Sequence, residues 1–135
     1  MKARHVVAAL AMVAAGAAVG FVTPGTLHAA APAQAPVSFK QDVQPIFQAN
    51  CVRCHSPGGE GTKASGLDLT RYAGVMKGTK YGPMIVPGEP GNSNLMWLLD
   101  WKASPQLRMP HGKAQLPEHQ RDIIRAWIAQ GAKDN

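Results

Sequence analysis

Apolar positions fall into a few separated sets along the chain. Residues 6–22 carry no charge and are mostly apolar, and Thr23-Pro24-Gly25 closes that run. Further on, Val43, Ile46 and Phe47 recur at helical spacing, as do Leu95, Leu98 and Leu99. Ile123, Ile124, Trp127 and Ile128 make a third, longer stripe. No stretch sustains the alternation of a strand, so the pattern predicts an all-α domain. The punctuation sets the expected bounds. Asp42 caps a first helix with Pro45 in its first turn and Phe39 as a staple, and that helix ends at Asn50. Thr70 caps a short helix to Lys77, and Asn92 or Ser93 caps the Leu95 helix. Pro117 opens the last helix and Gly131 closes it. Residues 56–66, with Gly58, Gly59, Gly61 and Gly66, read as a mobile loop, and residues 66–69 as a brief extended piece. Residues 78–92 read as irregular, with Met84, Ile85 and Val86 turned inward. Trp97 and Trp101, four apart, are expected on one face. Met96 is assigned to core. His119, Arg121, Asp122, Arg125 and Gln130 are assigned to solvent.

The first segment has the order of an address rather than of a fold. Lys2 and Arg4 give a positive start, the apolar run follows, and Leu27-His28-Ala29-Ala30-Ala31 supplies small residues for cleavage. The alternative is an uncleaved anchor, at the short end for a span and weakened by its Ala and Gly content. The expected division is residues 1–29 as signal peptide or N-terminal anchor, 30–37 as a flexible Ala/Pro-rich leader, and 38–135 as the folded domain. Either form sends the domain across a membrane, so a periplasmic or exported location is expected, with membrane contact only through an uncleaved segment.

Composition narrows the class. The chain has 135 residues, 16% of them charged, with 14 Gly, 11 Pro and 2 Cys. These values exclude a coiled coil, a collagen-like repeat, a multi-span membrane protein, a multidomain enzyme and a disulfide-rich scaffold. The formal charge is +6, of which Lys2 and Arg4 would leave with the signal. No basic stripe is interleaved with aromatics, so nucleic acid is not an expected partner. Lys63, Lys77, Lys80, Lys102 and Lys113 are candidates for steering acidic redox partner proteins, against the plainer role of aiding solubility.

Cys51-Val52-Arg53-Cys54-His55 is C-x-x-C-H, the attachment signature of one covalent haem c. Two thiols three positions apart can add to the two vinyl groups on one porphyrin edge, and the following imidazole can bind the iron. A thioredoxin-type pair would need a βαβ setting, and zinc would need two further ligands. A sixth ligand is sought among the later Met and His residues. Met109, held on an extended loop by Pro110, is selected for it. His111 on the same loop and Met84 in a Gly/Pro-flanked segment are the rivals. Met/His ligation raises the reduction potential. The expected function is one-electron transfer rather than enzymatic catalysis. The alternative is a haem enzyme or sensor with an open or displaceable sixth site.

Residues 38–133 resemble a class I monohaem cytochrome c, closest to the planctomycete-type cytochrome c domain. The stretches that carry the likeness are Val43-Gln44-Pro45-Ile46-Phe47, the haem motif, Gly66-Leu67-Asp68-Leu69 and Ile85-Val86-Pro87-Gly88-Glu89-Pro90. Ser93-Asn94-Leu95, Met109-Pro110 and Ala126-Trp127-Ile128-Ala129-Gln130-Gly131-Ala132 complete it. The resemblance implies a small helical bundle whose first and last helices cross beside the haem, with Phe47 meeting Trp127. It implies Cys51 and Cys54 as haem attachment points, His55 as proximal ligand and Met109 as distal ligand. His111 stands where a second proline is commoner.

Overall fold

The computed structural model describes residues 35–135. The expected signal or anchor, residues 1–29, lies outside the described residues. Among those described, no helix is long and apolar enough to cross a membrane.

The first apolar set forms a helix that starts earlier than its proline suggests. A π-helical turn over Phe39–Val43 runs directly into helix α1, Gln44–Asn50. Ser38, not Asp42, is the cap: its Oγ accepts from Gln41 N at 3.2 Å. Asp42 reaches back to accept from Ser38 N at 2.8 Å, so the two side chains cap reciprocally. Phe39 is therefore inside the helical turn and fully buried.

Residues 56–66 are not a loop throughout, because Glu60–Ser65 forms helix α2. Gly66 closes it with a φ of 83°, a left-handed conformation glycine takes without steric cost. Helix α3 spans Tyr72–Lys77. Thr70 does not cap it; Thr70 N and Oγ1 both donate to Asp68 Oδ1, at 2.9 and 2.6 Å. Residues 78–92 are irregular apart from a single bridge between Thr79 and Gly82 and a 3-10 turn at Pro90–Asn92. Met84 and Ile85 are buried there, but Val86 is exposed.

Helix α4 spans Asn94–Leu99 and buries Leu95, Met96 and Leu99. Ser93 occupies its cap position, yet its hydroxyl donates to Glu89 O at 2.9 Å rather than capping the helix. The helix stops before Trp101, which turns away with a φ of 57°. The two tryptophans therefore do not share a helical face. A second 3-10 turn, Pro105–Leu107, leads to helix α5, Glu118–Ala129. Pro117 precedes α5 as expected, and Gly131 ends it with a φ of 96°. Gly131 N donates to Ile128 O and Ala132 N to Trp127 O, the paired bonds of a Schellman ending.

The core gathers on Trp127, which has no exposed surface. Phe39 lies 5.3 Å from it by ring centroids and Tyr72 6.4 Å. Phe47 packs edge-on against Phe39 at 6.5 Å. The first and last helices thus meet through Phe39, and Phe47 joins the cluster by way of that ring rather than as the partner of Trp127. The last residues of the expected leader are tied down. Val37 N donates to Gln130 Oε1 at 2.8 Å, and Gln130 Nε2 donates to Ala35 O at 3.2 Å.

The polar face of α5 is not all solvent. Arg121 Nη1 donates to Asp100 Oδ1 at 2.8 Å, and Arg125 donates to both Asp100 oxygens at 3.0 and 3.1 Å. Desolvation raises the Asp100 carboxyl, but the bonds from Arg125 and Arg121 and the nearby positive charges outweigh it, leaving it below the usual carboxylate range. A depressed carboxyl contributes stability that is complete above about pH 5 and is lost as pH falls through the folded value. Asp100→Asn is expected to lower the unfolding free energy at neutral pH by roughly 1.5–3 kcal/mol. In urea titrations that gap should narrow as pH falls below about 4, where the unfolded chain's carboxyl takes up its proton first, and should close as pH passes through the lower folded value; an unchanged gap contradicts this account.

Candidate functional site

The chemistry-bearing residues sit on the segments between helices. Cys51 ends α1, with its N–H donating to Phe47 O at 2.8 Å. The chain then continues through one tight turn, in which Cys54 N and His55 N both donate to Cys51 O, at 3.0 and 2.9 Å. That turn keeps both thiols and the histidine together at the end of a rigid helix. Neither cysteine is in a disulfide. Burial pushes the Cys51 thiol up to about 11, the Lys113 ammonium opposing the rise and Cys54 adding to it. Such a thiol stays protonated at neutral pH, unlike the activated thiolate of a thioredoxin-type pair. Among the described residues, no group of three or more His, Cys, Asp or Glu side chains is placed to hold a metal ion.

His55 is only 8% exposed. Its Nδ1 lies 3.2 Å from Leu67 O. A carbonyl can only accept, so Nδ1 carries the proton and the Nε2 lone pair is free. Leu69 N donates to His55 O at 2.8 Å, fixing the backbone on the same side. Helix α2 approaches the ring closely at Gly61. A Cβ at Gly61 would stand 2.8 Å from His55 Cε1 and 2.9 Å from Nε2, so glycine leaves that edge of the imidazole uncovered.

Met109 is held at both backbone groups. Its N–H donates to Leu98 O at 3.2 Å, and Trp101 Nε1 donates to its carbonyl at 3.0 Å. The Arg108 guanidinium lies over the Trp101 ring at 5.3 Å. Trp101 thus pins the Met109 segment to the end of α4.

Cys51, Cys54, His55 and Met109 all line one cleft of about 680 Å³. That volume falls within the about 300–1,000 Å³ of cofactor and small-molecule sites. Leucines from residues 67–69 and from α4 form much of its wall. The rivals for the distal role line it too, Met84 packed into the core and His111 exposed. Tyr81, Trp97 and Leu107 stand exposed at its lining, Tyr81 by 80%.

Residues 51–111 match the family model described as Planctomycete cytochrome C. That match is consistent with a cytochrome c-like domain. Its helical fold agrees with the all-α class expected for it. The matched span runs from the first thiol to His111. No curated protein and no solved structure matches the chain.

The residues that line this cleft fit a covalently held haem in their chemistry. Two thiols stand three positions apart, an imidazole offers a free Nε2, a thioether lines the same cleft, and the walls are apolar. Sequence reasoning missed Gly61, Thr62 and the Leu67 carbonyl, the groups that hold His55. Their signals were weak, since glycines after the motif read equally well as loop.

Gly61→Ala tests the close approach of α2. Within a helix this change ordinarily stabilises by about 0.5–1 kcal/mol. Here the added methyl must displace the His55 ring, an overpacking that costs typically 1–3 kcal/mol. Urea unfolding of the unloaded chain is expected to show net destabilisation; stabilisation would mean the ring moves freely.

Proposed function

We propose that this chain is an exported c-type cytochrome that passes single electrons, as a soluble carrier or as the electron-transfer subunit of an oxidoreductase. The observation that carries the reading is the convergence of Cys51, Cys54, His55 and Met109 on one apolar cleft. Cys51 and Cys54 are the attachment points. Bound through them, a haem supplies one-electron Fe(III)/Fe(II) chemistry. His55 serves as proximal ligand through Nε2, because its Nδ1 proton is committed to Leu67 O. Met109 serves as distal ligand. Its backbone is fixed at both N–H and C=O, whereas Met84 is packed into the core cluster and His111 is exposed. A soft thioether and apolar walls both favour the reduced state and a high potential. With His55 and Met109 both committed to the iron, a bound haem would serve electron exchange rather than substrate binding.

Export rests on the order of charge, apolar run and small residues in residues 1–29. The partners are acidic redox proteins met at the cleft rim, where Arg53 and Lys113 line the opening. Lys102 belongs to a different setting, 3.7 Å from Asp100.

A visible spectrum with a redox titration of the wild type and Met109→Ala tests the ligand set. The wild type is expected to be low-spin, with a sulfur-to-iron charge-transfer band. Met109→Ala is expected to lose that band, turn high-spin and fall in potential. A wild type that is high-spin and takes up carbon monoxide would replace this reading with the open-site enzyme or sensor. An unaltered Met109→Ala spectrum would move the distal role to His111 or Met84. For the partner surface, electron-transfer rates should drop as ionic strength rises from about 0.01 to 0.15 M and the screening length contracts from about 30 to 8 Å. Flat rates would remove electrostatic steering.

A further inference from the structure

Helix α2 does more than approach His55. Thr62, the third residue of the helix, donates its hydroxyl to Leu67 O at 2.8 Å. That is the same carbonyl that takes the His55 Nδ1 proton at 3.2 Å. The hydroxyl is aimed by the helix backbone, since Thr62 N donates to Cys54 O at 3.2 Å and Thr62 O accepts from Gly66 N at 2.7 Å. We propose that Thr62 is a positioning residue that sets the ligand strength of His55 by competing with it for the Leu67 carbonyl.

A carbonyl has two lone pairs, so both donors are satisfied. They do not share it equally. The Thr62 bond has the usual length of a hydroxyl bond, while the His55 bond is at the long limit for N–H···O. Each donor draws on the same oxygen, so the shorter bond leaves less for the longer one. An imidazole that donates strongly through Nδ1–H gains basicity at its other nitrogen. A weakly engaged Nδ1–H leaves Nε2 a poorer donor. Hydrogen bonding behind the ligand is one of the levers on haem potential, and here it acts in the direction that favours the reduced state. Thr62 therefore adds to the effect ascribed to Met109.

This inference rests on the reading of His55 as the proximal ligand. The test compares the haem-loaded wild type with Thr62→Val and Thr62→Ser. Valine keeps the shape and removes the donor, while serine keeps the donor. Thr62→Val is expected to remain low-spin and to shift to lower potential. Its ferric-to-ferrous ratio at a fixed potential should rise about tenfold, the low end of what outer-shell partners carry. The His55 Nδ1–H proton resonance should move downfield as its bond to Leu67 O shortens. Thr62→Ser should match the wild type in both readings. Should the valine variant fail to mature, Thr62→Ala removes the same donor and is read the same way. A potential that is unchanged or higher on loss of the hydroxyl, with low-spin haem intact, overturns the role of Thr62 and leaves the cytochrome reading standing. A wild type without low-spin haem overturns both.

Discussion

The packing of Phe39 on Trp127 is the contact from which the rest of the domain follows. A cleft of about 680 Å³ occupies the centre of the chemistry, so the apolar core must be assembled to one side of it. Trp127 is where that core closes, with Phe39 and Tyr72 against its ring and its Nε1 donating to Lys133 O at 2.9 Å. Each aromatic pair of this kind adds about 0.5–1.5 kcal/mol beyond burial. The same contact brings together segments far apart in sequence: Ser38 Oγ and Lys40 N both donate to Asn135 O, at 2.8 and 3.0 Å. Tyr72 adds α3 to the cluster through its hydroxyl, which donates to Ala132 O at 2.9 Å. This closure braces the start of α1, the element from whose end Cys51 projects.

From that braced end, the site is assembled by hydrogen bonds rather than by burial alone. Leu67 O holds the imidazole, and Leu67 itself is buried in the core. The His55 side of the cleft is thus referenced directly to the packed interior. The Met109 segment is referenced to α4 instead, by Met109 N on Leu98 O. Helix α4 is in turn fastened to α5 through Asp100 and its two arginines. The two sides of the cleft therefore reach Trp127 by separate routes, one through residues 67–69 and one through α5.

What could be read from the sequence was whatever chemistry or burial forces into a fixed spacing. The haem motif was legible because two thiols and an imidazole must stand at set intervals. Helix α5 was legible because twelve residues give a full apolar stripe between Pro117 and Gly131. Helix α2 was not, because it buries no side chain and contributes through an absent one, the missing Cβ of Gly61. The cap of the first helix was misplaced because Ser38 and Asp42 each have the chemistry for it and only the backbone decides. Trp101 was misread because four-residue spacing implies a shared face only while the helix continues, and α4 ends at Leu99. Arg121 and Arg125 look like surface charges until Asp100 is brought beneath them, a pairing of residues over twenty positions apart.

Helix length explains why so much depends on individual polar bonds. Helices α1 to α4 have six or seven residues each, well below the roughly 12–15 at which isolated helices become even marginal in water. They persist because side chains fasten the intervening backbone. Gln44 Nε2 donates to Thr70 O at 3.1 Å, Gln115 Nε2 to Leu99 O at 2.9 Å and Arg121 Nε to Leu116 O at 3.1 Å. These bonds satisfy carbonyls that a regular sheet or a longer helix would satisfy itself. They also leave the segments between helices free to line a cleft instead of crossing the core. A domain built this way keeps its chemistry on loops whose backbones are individually anchored. The position of His55 or Met109 is then set by a few identifiable hydrogen bonds, each open to substitution one at a time.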